Sequence, residues 1–168
     1  MSIQWSEAVE PASVNPLDLV EEIVLANDWV FERADSDELA VEVAGTWCNY
    51  RLLFIWQDDF SSLQFFCQYC IAVPEATRPK LYPLLAKVNE RLWLGHFMFP
   101  GDEVAPVFRH TLLMRGTSGA SLEQIEDLVD FGLSEAERFY PAFQYVIMGG
   151  GDADQALRAA IVDILGEA

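Results

Sequence analysis

Basic residues are scarce in this sequence. Ten lysines and arginines stand against 27 aspartates and glutamates among 168 residues, which gives a formal net charge of −17. The acidity is concentrated in residues 1–50 and 121–168, whereas the middle of the chain is close to neutral. Proteins bind nucleic acid by neutralising phosphates with Lys and Arg, and anionic membranes attract the same side chains. We therefore expect no binding to nucleic acid and none to membranes.

Long apolar runs and a secretory signal are also lacking. A membrane-spanning helix needs roughly 18 apolar residues, whereas the longest clean apolar run here is LLFIW at residues 52–56. The N-terminus has neither the basic nor the apolar region of a secretory signal. With only three cysteines, the sequence predicts a cytoplasmic protein whose thiols stay reduced.

Motifs for metal binding or catalysis are missing as well. Cys67 and Cys70 have the C-x-x-C spacing, but their aromatic surroundings favour a strand, in which these two positions lie on opposite faces roughly 10 Å apart. His96 and His110, the only histidines, have no third ligand in an obvious register. We expect no metal, no cofactor and no enzymatic activity.

Two periodicities of the apolar residues predict the secondary structure. The helical period predicts a first helix that Asn15 caps and that ends near Asn27, and a second within 78–91. A capping box at Ser121 starts a third helix, which Pro141 should kink or divide and which ends at glycines 149–151. A C-terminal helix follows at 152–165, capped by Asp152.

Alternation with period two predicts five strands, at 38–44, 50–57, 63–73, 93–99 and 104–114. If the first two loops have four residues each, Val41 faces Leu52 and Leu52 faces Cys67, so that one apolar face runs through three strands. A slip of one residue would destroy this agreement. The predicted fold is α+β, a five-stranded antiparallel sheet in the order α-β-β-β-α-β-β-α-α. We expect residues 1–14 to be loosely ordered and residues 15–168 to form a single domain.

The second face of this predicted sheet is unusually apolar. Leu53, Ile55 and Phe66 lie on it, with Cys70 on the same side. A sheet with one solvated face does not favour such residues, so either further helices or a partner protein covers them. These four residues are the predicted partner-binding surface.

A ligand pocket is the alternative site. With a four-residue loop at 100–103, Trp93 would face His110, and the pocket would lie between sheet and helix near Trp93, Arg109 and His110.

Four stretches together resemble the YbjN family of bacterial proteins. They are GTWCNYRLLF around Trp47, VNERLWLGHFMF at Val88–Phe99, FRHTLLMRG at Phe108–Gly116 and ERFYPAFQYVIMGG at Glu137–Gly150. The resemblance implies a fold like that of type III secretion chaperones and a role as a sensory transduction regulator. It implies no catalytic residues.

These observations together predict a non-enzymatic cytoplasmic protein, regulatory or chaperone-like, that acts through protein–protein binding as a homodimer. The alternative is a small-ligand sensor that uses the pocket between sheet and helix.

Overall fold

The computed structural model describes residues 14–101 and 105–166, the last six of these by their backbone alone. The predicted loose segment 1–14 therefore lies, apart from Val14, outside the described residues. The helices and strands are α1 (Leu17–Ala26), β1 (Val30–Arg33), β2 (Glu38–Ala44), β3 (Asn49–Gln57), β4 (Ser62–Tyr69), α2 (Arg78–Asn89), β5 (His96–Met98), β6 (Val107–Leu113), α3 (Leu122–Ile147) and α4 (Ala153–Gly166).

The strands form one antiparallel sheet in the order β1-β2-β3-β4-β6-β5. Val41 lies opposite Leu52, and Leu52 lies opposite Cys67. The two loops that precede and follow β3 span residues 45–48 and 58–61. The predicted register and the α+β class are confirmed, because the apolar alternation and the loop lengths specify the same pairing.

The predicted number of strands is wrong, since the described residues form a sheet of six strands and not five. The missing strand, β1, is only four residues long and pairs at the sheet edge, where Phe31 lies opposite Val41. Its residues are half-buried or exposed, so its sequence carries no clear apolar alternation. Pairing with β2, rather than local propensity, makes it a strand.

The predicted strand at 93–99 is too long, because β5 contains only His96–Met98. Gly95 precedes it with φ +64°, a conformation that ends the extended backbone. Trp93 therefore lies in a turn, and its predicted pairing with His110 is wrong. His96 lies opposite Arg109 instead.

The helices pack on one face of the sheet. α1 contacts β2, α2 contacts β5, and α3 contacts both β4 and β6. The sheet side chains beneath them are fully buried, and Phe65 meets Phe54 and Phe108 at ring-centroid distances of 5.1 and 6.3 Å. Gly132 of α3 lies so close to the Phe65 ring that a Cβ there would overlap it. A glycine thus lets the longest helix approach the centre of the sheet.

Three predicted helix starts are confirmed. Asn15 Oδ1 accepts a hydrogen bond from the Leu17 backbone N–H at 3.0 Å. Ser121 and Gln124 exchange the two bonds of a capping box, at 3.2 and 2.9 Å. Asp152 and Gln155 do the same at the start of α4, at 2.9 and 3.1 Å.

Pro141 does not divide the third helix, which runs from Leu122 to Ile147 without a break. The neighbouring residues Tyr140, Ala142 and Phe143 are buried in the core. Tertiary packing therefore holds the helix across the residue that removes one of its backbone hydrogen bonds.

Candidate functional site

The sheet face that points away from the helices, which we call the open face, carries the predicted partner-binding residues. Leu53 lies opposite Phe66, and Ile55 lies opposite Gln64. All three apolar side chains are half-buried and lie outside the core cluster. The described helices pack on the opposite face of the sheet.

Cys70 lies at the edge of this surface. It follows the last residue of β4, is exposed, and donates its backbone N–H to the Asn49 carbonyl oxygen at 3.1 Å. The structure thus brings Leu53, Ile55 and Phe66 together and places Cys70 beyond them, at the end of the strand.

Charges on the open face are divided between its two halves. The acidic half lies on β1 and β2, where alternation places Glu32, Glu38 and Glu42. The other half carries Arg109 on β6, and Arg51 on β3 lies directly opposite Glu42 of the acidic half. The apolar residues occupy the strip between Ala40 on one side and Arg109 on the other. The face is therefore electrically asymmetric across its strands.

Arg109 is held in a fixed position on this face. Its guanidinium lies over the Phe66 ring, 5.4 Å from the centroid, and its Nη2 donates to Gln64 Oε1 at 2.9 Å. His96 lies beside it on β5, where burial and then the Arg109 charge lower the pKa of the imidazole. At neutral pH the Arg109 guanidinium on β6 is thus positively charged, whereas the neighbouring His96 imidazole on β5 is neutral.

A cavity of about 420 Å³ lies on the helix side of the sheet, open to solvent between β6, α3 and the turn before β5. Its walls are mainly apolar. Trp93 is 81% exposed, and its ring meets the Phe131 ring edge-on at a centroid distance of 5.2 Å. The described lining residues are Trp93, Leu94, His110, Leu112, Gln124, Asp127, Leu128 and Phe131.

His110 reaches this cavity from β6. Burial, and secondarily the nearby His96, lower the pKa of its imidazole, so the ring is neutral at neutral pH. No hydrogen bond joins the His110 ring to another side chain or backbone group in the described part of the chain. Its two ring nitrogens are therefore available to a ligand as one donor and one acceptor.

The predicted pocket residues divide between the two faces. Trp93 and His110 line the same cavity. Arg109, the residue next to His110 on β6, lies on the open face beside Phe66. Sequence reasoning missed Asp127 and Phe131, although their spacing from Leu128 on one amphipathic helix would have placed them near its buried stripe.

The three cysteines also divide between the faces. Cys67 is fully buried on the core side, and Cys70 is exposed, so the two halves of the C-x-x-C spacing do not meet as a pair. Burial raises the pKa of the Cys67 thiol far above its usual value. Burial raises the pKa of the half-buried Cys48 thiol.

Within residues 14–101 and 105–166, no group of three or more His, Cys, Asp or Glu side chains is arranged to hold a metal ion. None of the described helices is long and apolar enough to cross a membrane.

Comparisons with known proteins identify one family. A family model named YbjN and described as "Putative bacterial sensory transduction regulator" matches residues 16–145. The fold is similar to the structure titled "Crystal structure of YbjN, a putative transcription regulator from E. coli", with a TM-score of 0.53 and 13% identity over 91% of this chain and 97% of that one. This likeness shows the fold alone. No curated protein sequence matches the chain.

Proposed function

The chain belongs to the YbjN family, and from this premise we propose that it is a non-enzymatic regulatory protein that binds other proteins through its open face. The observation that carries the proposal is the apolar strip of Leu53, Ile55 and Phe66 on a sheet face that no described helix covers. The proposal includes a cytoplasmic location and the chaperone-like fold that the family resemblance implies.

The apolar strip favours a protein partner for a physical reason. An antiparallel sheet with one solvated face normally carries polar side chains there. Covering an apolar side chain removes its surface from water and stabilises the complex by roughly 25 cal/mol per Å². A second sheet can pack about 10 Å away with its strands nearly aligned, which would cover the strip completely.

The charge pattern favours a second copy of this chain as the occupant. In a dimer formed by two open faces, a two-fold axis can run parallel to the strands between β3 and β4. It then places β3 of one copy opposite β4 of the other, and β2 opposite β6. Leu53 of one copy then meets Phe66 of the other. Arg109 meets Ala40 and lies between Glu38 and Glu42 of its partner, because these flank Ala40 on β2.

The other two-fold axis is disfavoured. A two-fold axis perpendicular to the strands would place β2 of one copy opposite β2 of the other. Glu38 and Glu42 would then face the Glu38 and Glu42 carboxylates of the partner. Like charges placed together across an interface cost several kcal/mol, by order of magnitude. The axis along the strands avoids this repulsion and places Arg109 beside acids of the partner.

Light scattering of Phe66→Glu tests the proposal. We expect the wild-type protein to have the mass of a dimer and Phe66→Glu to have the mass of a monomer, because a buried unpaired carboxylate opposes association. Leu25→Glu is the matched control, since Leu25 is an exposed leucine on α1, 58% accessible and away from the open face. A monomeric wild type, or dissociation by both variants, would contradict the proposed surface.

A second candidate function is small-ligand sensing, which the cavity supports because it brings Trp93 and His110 together. Ligand pockets of proteins are concave, mostly apolar and contain a few polar groups, and this cavity has that composition. The two functions are compatible, since the cavity and the open face lie on opposite sides of β6.

A further inference from the structure

We propose that the cavity between β6 and α3 binds a small organic cation with an apolar body, such as a protonated aryl-alkyl amine. This proposal rests on the second candidate function, ligand sensing, and adds the chemical class of the ligand. It does not depend on the open face or on the oligomeric state.

The size and walls of the cavity set the body of the ligand. A volume of about 420 Å³ lies within the range of roughly 300–1,000 Å³ found for small-molecule sites. Leu94, Leu112 and Leu128 supply aliphatic walls, and the Trp93 and Phe131 rings form a corner. A flat or linear apolar group is the occupant that such walls accommodate.

The charged side chains that line the cavity indicate the charge of the ligand's head group. Asp127 is the one charged side chain among the described lining residues, and no Lys or Arg is present there to neutralise an anion. His110 is neutral at neutral pH, because burial lowers its pKa. Its ring can accept a hydrogen bond from an ammonium group, and the faces of Trp93 and Phe131 attract cations.

The acidic surroundings of the cavity also favour a positively charged ligand. The first half of α3 carries further exposed acids on the turns around Asp127, namely Glu123, Glu126 and Asp130. The whole chain has a formal charge of −17. A field of this sign raises the local concentration of cations and lowers that of anions.

The test uses three ligands that share one body and differ only in the head. They are 3-phenylpropylamine, 3-phenylpropan-1-ol and 3-phenylpropionate, titrated into the full chain by isothermal calorimetry at neutral pH and low salt. We expect the amine to bind about fivefold more tightly than the alcohol, and the carboxylate to bind most weakly, because a partly exposed ion pair contributes up to about 1 kcal/mol.

Two substitutions on α3 locate the charge. Asp127→Asn should weaken amine binding about three- to fivefold and leave alcohol binding unchanged. Asp130→Asn is the matched control, because it removes the same charge from an exposed residue that does not line the cavity. Equal weakening by both variants would overturn the assignment of Asp127.

The remaining outcomes separate the two proposals. Tighter binding of the alcohol or the carboxylate would overturn the cationic class and leave ligand sensing intact. No measurable binding of any of the three would overturn both. Phe131→Ala should abolish amine binding, and undiminished binding to that variant would place the amine elsewhere and contradict the proposal.

Discussion

The two faces of the sheet use neighbouring residues of the same type for different purposes. Phe65 is fully buried and contacts the rings of Phe54 and Phe108. Phe66, the next residue, is half-buried and contacts the guanidinium of Arg109. Because side chains alternate along a strand, Phe65 points into the helix-covered core and Phe66, the next residue, points to the open face. Phe65 therefore stabilises the fold, whereas Phe66 belongs to the surface for which we propose a partner.

The cysteines give the largest expected contrast between the faces. Cys67 lies in the core and Cys70 on the exposed side, so Cys67 should react with iodoacetamide roughly a thousandfold or more slowly, since its thiol becomes accessible only when the core opens. Peptide mass mapping of the labelled protein follows each cysteine separately. The control is the protein in concentrated urea, where the rates should converge. Rapid labelling of native Cys67 would contradict the register.

The two phenylalanines give the next contrast. Phe65→Ala should lower the free energy of unfolding by about 3–5 kcal/mol, because it removes a buried ring and leaves a cavity. Phe66→Ala should lower it by about 1 kcal/mol or less under conditions where the protein is monomeric, since its ring lies outside the core. Urea denaturation measures both values. Equal losses would mean that the open face is covered within the monomer.

Much of the sheet could be predicted from the sequence. The pairing of Val41, Leu52 and Cys67 followed from alternation and loop length, because a slip of one residue would move these side chains to opposite faces. Trp93 was placed in a strand because the turn signal of the single glycine Gly95, where φ is +64°, was read as part of the apolar strand pattern around it. β1 was missed because an edge strand of four residues depends on its neighbour.

The candidate site was only partly accessible to sequence reasoning. The open-face residues follow from local alternation, which is a short-range property of a strand. The cavity depends on the approach of Trp93 to Phe131, two residues far apart in the sequence that tertiary packing brings to a centroid distance of 5.2 Å. Arg109 was assigned to the pocket with His110 although adjacent strand residues point to opposite faces.

The central claim is that two open faces associate about an axis that runs along the strands, and the most direct test is a charge exchange. Arg109→Glu alone, and Glu38→Arg with Glu42→Arg in a second protein, each place like charges together in a homodimer, so both should be monomeric in native mass spectrometry. Mixed in equal amounts, the two variants should form a heterodimer, because every pairing across the axis is again of opposite sign. Dimers of each variant alone, or a mixture that stays monomeric, would contradict the account.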